Sequence, residues 1–372
     1  MDMLEKLAAR IITRSKTARA DEVLRAELKV ERLQPRDSSA VAAMVFSYFR
    51  WRGWLDESQG MAQQLATVRE LDFQFSSNSD AFSFEDLLKA IPAWARDEVA
   101  VTREWLVTLQ TQPTLWLRAK RGTGEALARK LGECVRGRDH LSDTLEYQGT
   151  EDLFRTKEFH GGEFEVQDIA SQFVGLLCDP QPGETWWDAC AGEGGKLLHL
   201  SELMQNKGLI WASDRSERRL ANLRRRTARA KVFNYRVASW DGSAKLPTKT
   251  KFDGVLVDAP CSGVGTWQRN PHARWTTMLQ DVQELGAIQQ QLLLNAAASV
   301  KPGGKLIYAV CTLTRSETDA VADLCSPRLS GFAPSPLPAW PSEPPAASDQ
   351  RWIWPQNYRG NGMFVKAWKR LP

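Results

Sequence analysis

The chain has 372 residues, 42% hydrophobic and 25% charged, with 49 Lys and Arg against 45 Asp and Glu for a net charge of +4. That balance suits a globular protein of two or three domains and permits nucleic-acid binding without demanding it. It holds no run of eighteen apolar residues, and Met1–Arg10 lacks an apolar signal core, so we expect a cytoplasmic protein with no membrane partner.

The pattern over residues 1–110 predicts an all-helical domain. Leu4, Leu7, Ala8 and Ile11 repeat at helical spacing, as do Val41, Met44, Val45 and Tyr48. The stretch from Phe46 to Asp56 is both aromatic and basic; it reads as an amphipathic helix packed inward, with an RNA-contact face as the alternative. Residues 111–165 predict a small α+β insert, with strands at Thr114–Ala119 and Leu145–Gln148 flanking a helix at Glu125–Glu133.

From 166 to 372 strands and helices alternate, the sign of a parallel sheet with crossovers. The predicted strands are Thr185–Ala189, Leu209–Asp214, Lys231–Val237, Phe252–Asp258, Lys305–Val310 and Gly362–Trp368. Helices are expected at Ile169–Leu177, Gly195–Met204, Glu217–Ala230 and Asp281–Val300. The proline-rich stretch 327–355 reads as a surface excursion before the last strand.

Two strands end on chemistry. Phe252–Asp258 stops at a carboxylate and runs into Ala-Pro-Cys261-Ser-Gly-Val-Gly, and Lys305–Val310 stops at Cys311. In an open α/β sheet the crevice beyond the strands' carboxyl ends is where ligands bind. One such cysteine reads as a small buried hydrophobe; two of them, beside a carboxylate, point to nucleophilic chemistry. The six cysteines (134, 178, 190, 261, 311, 325) show no Cys-x-x-Cys spacing, which argues against disulfides and against a metal site.

The turn Cys190-Ala191-Gly192-Glu193-Gly194-Gly195-Lys196 lies between a strand and a helix, where glycines let backbone approach a ligand and the helix start offers amide donors. Asp214, ending the next strand, suits two ribose hydroxyls. With Asp241 and Asp258 these strand ends trace a slot for adenosine carrying an amino acid. A nicotinamide dinucleotide would use similar geometry, but the spacing is not Gly-x-Gly-x-x-Gly, which disfavours a dehydrogenase. The helix from Arg215 to Lys231 carries eight basic residues, readable as a solvated face or as a phosphate-contact face.

The series resembles the RsmB/Sun/Nop-type RNA cytosine-5 methyltransferases. The family's Asp-Ala-Pro-Cys-Ser-Gly-x-Gly stands at Asp258–Gly265, and its Tyr-Ser-Thr-Cys-Ser at Tyr308-Ala-Val-Cys-Thr312. Val166–Gln172, Asp214–Leu220, Arg269–Trp275 and Lys301-Pro-Gly-Gly304 match further blocks, and the N-terminal helices resemble a NusB-like RNA-binding domain more loosely. The resemblance implies an α/β fold: a Rossmann-like class I methyltransferase domain, a small α+β insert and an N-terminal all-helical domain. It implies S-adenosylmethionine as cofactor, held by residues 190 through 196, Asp214, Asp241 and Asp258, and an RNA partner, rRNA or tRNA, bound by a monomer. By the same resemblance Cys311 adds to C6 of cytosine so that C5 becomes nucleophilic, Cys261 assists breakdown of the adduct, and Asp258 binds the ring edge.

The departures are Glu193 in place of a proline, Thr312 in place of serine, Lys120 at the end of Leu117-Arg-Ala-Lys120 where the family has asparagine, and Asn361-Gly-Met-Phe364 for Asp-Gly-Phe-Phe. Glu193 would add a carboxylate beside the cofactor, which leaves a non-catalytic RNA-binding or ribosome-assembly factor as the competing expectation.

Overall fold

The computed structural model describes residues 1–137, 141–339 and 348–372. Two compact units emerge: Met1–Gln112 with Thr266–Leu279, and Pro113–Gly265 with Gln280–Pro372.

The first unit is helical: α1 (Met3–Arg14), α2 (Ala20–Glu31), α3 (Pro35–Trp51), α4 (Met61–Ser77) and α7 (Arg103–Gln110), with single turns α5 (Phe84–Leu87) and α6 (Ala95–Glu98) between the last two. Helix α1 starts at a capping box, in which Asp2 Oδ1 accepts from the Glu5 amide and Glu5 Oε2 from the Asp2 amide. Along α3, Val45, Tyr48, Phe49 and Trp51 are buried, and Trp51 Nε1 donates to Asp72 at 2.6 Å. Tyr48, Phe49 and Trp51 therefore pack inward, as helical spacing required, while Phe46, Arg52 and Trp54 stay half-buried.

Segment 266–279 interrupts the expected domain 166–372 and packs with these helices. Its Trp267 and Arg274 are fully buried. Arg274 donates to the Leu109 carbonyl, Trp275 Nε1 to the Phe49 carbonyl (2.6 Å), and His272 Nε2 lies 2.8 Å from the Ser15 carbonyl. Each side chain satisfies a backbone carbonyl of the helical unit, which fixes the segment there.

The second unit opens with a four-stranded antiparallel sheet in the order β2-β3-β1-β4: β1 (Leu115–Ala119), β2 (Cys134–Arg136), β3 (Thr144–Tyr147) and β4 (Phe164–Val166), with α8 (Gly124–Leu131) and the short α9 (Lys157–His160). The eight-stranded sheet follows. Its parallel part runs β9-β8-β5-β6-β7, built from β5 (Thr185–Asp188), β6 (Leu209–Asp214), β7 (Tyr235–Ser239), β8 (Phe252–Asp258) and β9 (Val300–Val310). The helices are α10 (Ile169–Cys178), α11 (Gly195–Leu203), α12 (Glu217–Ala230), α13 (Leu279–Ala297) and α14 (Asp319–Cys325). Antiparallel β10 (Phe332–Pro334), β11 (Gln350–Ile353) and β12 (Met363–Arg370) close the β9 edge, with the turn α15 (Pro355–Tyr358) before β12. Two apolar layers, one on each face of the sheet, bury it, and the near-continuous apolar runs of β8 and β9 follow from that double covering.

Several readings of the sequence shift; the helix expected to run from Asp281 to Val300 spans Leu279–Ala297, because Val300 opens β9. Strand β7 begins at Tyr235 because Lys231 closes α12 in the left-handed region (φ 58°), so the residues after it belong to the turn. Strand β9 reaches back through Pro302 to Val300, with an irregular register opposite Phe252–Gly254 that absorbs the proline. The stretch 327–355 holds β10 and β11, and its residues 340–347 lie outside the described ones.

Candidate active site

Parallel register brings the two thiols together. Asp258 pairs with Ala309 across β8 and β9, so Cys261 and Cys311 lie three and two residues beyond one rung of the ladder. The Ala259 amide donates to the Ala309 carbonyl (2.9 Å) and the Gly265 amide to the Cys311 carbonyl (3.2 Å), tying the two loops. The sulfurs end 3.3 Å apart, well outside the ~2.05 Å of a disulfide bond.

One buried carboxylate holds both loops. Glu317 has no exposed surface; its Oε1 accepts from the Ser262 amide (2.8 Å) and Gln289 Nε2 (2.9 Å). Its Oε2 accepts from the hydroxyls of Thr312 (3.1 Å), Thr314 (2.8 Å) and Ser262. Ser262 and Thr312 each directly follow a cysteine, so this network sets the sulfur spacing. Gln289 also donates to the Pro260 carbonyl (2.9 Å) and accepts from Tyr308 Oη (2.9 Å).

Beside the thiols, Lys196 Nζ donates to Asp258 Oδ2 at 2.6 Å, with the lysine nine-tenths buried. Burial opposes its charge, yet the Asp258 carboxylate outweighs that and raises the Lys196 pKa, with Cys311 contributing in the same sense. The Cys261 thiol is pushed well above its ordinary range by its hydrogen bond to Cys311 and by burial, with the charges of Cys311 and Glu317 adding to both. Two sulfurs this close do not both ionise, and the upward push on the Cys261 thiol favours its keeping the proton of the pair.

The glycine turn leads from β5 into α11. The Ala191 amide donates to the Ser213 carbonyl (2.8 Å), the Gly192 amide to Asp214 Oδ2 (3.1 Å) and the Gly194 amide to the Ala191 carbonyl (2.8 Å). Asp214 Oδ1 accepts from the Ser216 amide (2.8 Å). Gly192 and Gly194 have φ of +55° and +84°; a Cβ at 192 meets open space, whereas one at 194 would lie 2.8 Å from Leu223 of α12. The turn is thus open on one side and closed against α12 on the other. Glu193 is exposed and its Oε1 accepts from Asn222 of α12 (2.7 Å), which occupies its carboxylate. Burial, with the neighbouring aspartates, raises the Cys190 thiol well above its ordinary range and keeps it neutral.

Asp241 sits two residues past the Ser239–Asp214 rung, exposed, with Oδ1 accepting from the Ser243 amide at 3.0 Å. That turn, by backbone and side-chain hydrogen bonds, lowers its pKa. The structure therefore brings Cys190–Lys196, Asp214, Asp241, Asp258, Cys261 and Cys311 to the carboxyl ends of five neighbouring parallel strands.

Asp188, Gln289 and Glu317 were not anticipated. Asp188 is 1% exposed and neither oxygen has a hydrogen-bond partner of good geometry; burial above all, then the Asp258 charge, pushes its pKa to about 8. Gln289 had a readable signal, a polar residue at the core-facing spacing of Val282, Gly286 and Leu293 on α13.

The family described as "16S rRNA methyltransferase RsmB/F" matches residues 175–369, more than half of the chain. A probable ribosomal RNA small subunit methyltransferase B of Synechocystis is 39% identical over 166 residues, covering 44% of this chain and 37% of that protein. The ribosomal RNA small subunit methyltransferase B of Proteus mirabilis is 30% identical over 309 residues, 80% of this chain and 70% of that protein. The chain spans less than two thirds of several relatives it matches. Among solved structures PH0851 superposes with a TM-score of 0.82 at 21% identity, covering 99% of this chain and 98% of that one, which shows the shared fold. By the family match and the Proteus relative together, the chain belongs to the RsmB/F methyltransferase family.

Proposed function

We propose that this protein is an S-adenosylmethionine-dependent methyltransferase that forms 5-methylcytosine in structured RNA, with rRNA as the substrate class. The observation that carries the reading is the 3.3 Å approach of Cys261 and Cys311 at the ends of adjacent parallel strands, beside the Lys196–Asp258 pair.

The residues fit the cofactor. The open side of the turn at Gly192, the Asp214 carboxylate beside it and the buried Asp188, whose oxygens lack partners, offer space and polar groups for such a ligand. When bound, the cofactor supplies an electrophilic methyl group. The Glu193 side chain is tethered to α12 by the Asn222 amide, which orients its carboxylate without removing the charge.

Cys311 is the nucleophile in this account. Its negative charge is favoured by the proton that Cys261 retains and by the Lys196 ammonium. Its sulfur bonds to C6 of the flipped cytosine and the electron pair of the 5,6 double bond moves toward C5. Asp258, oriented by Lys196, accepts from the exocyclic amine and holds the ring. After methylation a base removes the C5 proton, the double bond re-forms and Cys311 leaves as thiolate, with Cys261 returning its hydrogen bond to that sulfur.

The test is a pair of variants. Cys311→Ala abolishes methyl transfer and forms no covalent complex; Cys261→Ala accumulates a protein–RNA adduct stable to denaturant. An adduct in the Cys311 variant would exchange the two roles, and methylation surviving in both would end the covalent account.

A further inference from the structure

A cavity of about 300 Å³ opens between β1 and the C-terminal end of α12, along the second half of α11. Arg118, Lys120, Arg121 and Lys231 stand in its wall against two carboxylates, Glu165 and Glu202. Both carboxylates are already paired: Glu202 with the buried Arg118, and Glu165 with Arg226 and Arg229. Among the described residues Lys120, Arg121 and Lys231 have no ion-pair partner, and the last two are exposed. Burial and the charge of Lys231 lower the Lys120 pKa, against the opposing pull of Glu163 and Glu165. Three unpaired cations around a cavity that size select an anion.

The surroundings favour a long anion over a small one. Helix α12 leads away from the cavity with Arg218, Arg224 and Arg225 exposed, and Arg215 just before its start, all unpaired with carboxylates among the described residues. Phe233, two residues past Lys231, is 77% exposed, a surface on which a base can stack. The cavity also lies off the catalytic ends of the strands: Glu202 is about 9 Å along the helix axis from Lys196.

We propose that this cavity is a phosphodiester-binding subsite for the RNA substrate, with Lys120, Arg121 and Lys231 neutralising a backbone phosphate and α12 carrying the strand onward. The proposal rests on the RNA reading above and adds where the RNA backbone is held.

The test measures binding of an unmethylated 16S rRNA transcript by Lys120→Ala, Lys231→Ala and the surface control Lys249→Ala, as a function of salt. Each of the first two lowers the slope of log K against log salt by about 0.7–0.9 and weakens binding several-fold at low salt, while cofactor affinity by calorimetry stays at the wild-type value. Lys249→Ala keeps the wild-type slope. Unchanged slopes in Lys120→Ala and Lys231→Ala, or an equal drop in Lys249→Ala, overturn the subsite while leaving the RNA reading standing. A wild-type protein that binds cofactor but no RNA sinks both.

Discussion

Glu317→Ala is the perturbation whose size follows most directly from the structure. The carboxylate has five hydrogen-bond donors and no exposed surface. When it is removed, Gln289 keeps the Pro260 carbonyl, and the Ser262 and Thr312 hydroxyls keep each other at 3.0 Å. The Ser262 amide is left without its acceptor, which costs about 1–3 kcal/mol for a buried N–H. The lost charge-assisted bonds and the cavity of four heavy atoms raise the total to about 3–5 kcal/mol, partly offset because no charge is buried any longer. Glu317→Gln keeps Oε1 for the Ser262 amide, and the hydroxyls can turn to accept from the new NH₂, so about 1–2 kcal/mol is expected. Urea unfolding followed by tryptophan fluorescence gives the stability difference, and turnover is measured on the same samples. Because Ser262 and Thr312 adjoin the cysteines, kcat falls by about 100-fold in the alanine variant, the scale of a 1 Å misplacement. An alanine variant within about 1 kcal/mol of wild type and with normal kcat would refute the claim that Glu317 sets the sulfur spacing.

Other expectations follow from single contacts. Gly194→Ala places a methyl against Leu223 at a φ of +84° and should destabilise by about 1–3 kcal/mol, read as a lowered melting midpoint; an unchanged midpoint counts against the closed side of the turn. Asp188 holds its proton to about pH 8 when folded but releases it near 3.8 when unfolded, so it contributes a loss of stability as pH rises between those values. Asp188→Asn removes that slope, and melting curves of variant and wild type that stay parallel from pH 5 to 8 would contradict the burial argument. Lys196→Met removes the ammonium that Asp258 Oδ2 accepts from, so kcat should fall by about 100-fold or more, and a variant with wild-type kcat would count against that pair orienting the carboxylate. Glu193→Ala should change cofactor affinity less than threefold by calorimetry, since that side chain serves Asn222.

That the two thiol-bearing strand ends meet was legible because an apolar run that stops at a polar residue is a local signal, and parallel register does the rest. Asp258, Cys261 and Cys311 needed no long-range information beyond β8 lying next to β9. What local patterns could not supply was the partner of each polar group. Glu317 reads as one acid in a polar loop until the fold places two serine and threonine loops around it, and Asp188 reads as a strand end until its burial is known. Segment 266–279 follows the Cys261 loop in sequence, yet its buried Arg274 is satisfied in the helical unit, a choice made by hydrogen-bond partners over 150 residues away such as Leu109 and Gln110. The β7 shift came from Lys231 adopting a left-handed cap that glycine more often fills.

Trapping decides the central claim. RNA carrying 5-fluorocytidine at the target position cannot lose a C5 proton, so turnover stalls at the covalent stage and the attached peptide can be sequenced by mass spectrometry. The account predicts the nucleotide on the peptide containing Cys311, dependent on added S-adenosylmethionine for its stability. Attachment at Cys261, or no attachment while unmodified RNA is methylated normally, would contradict it.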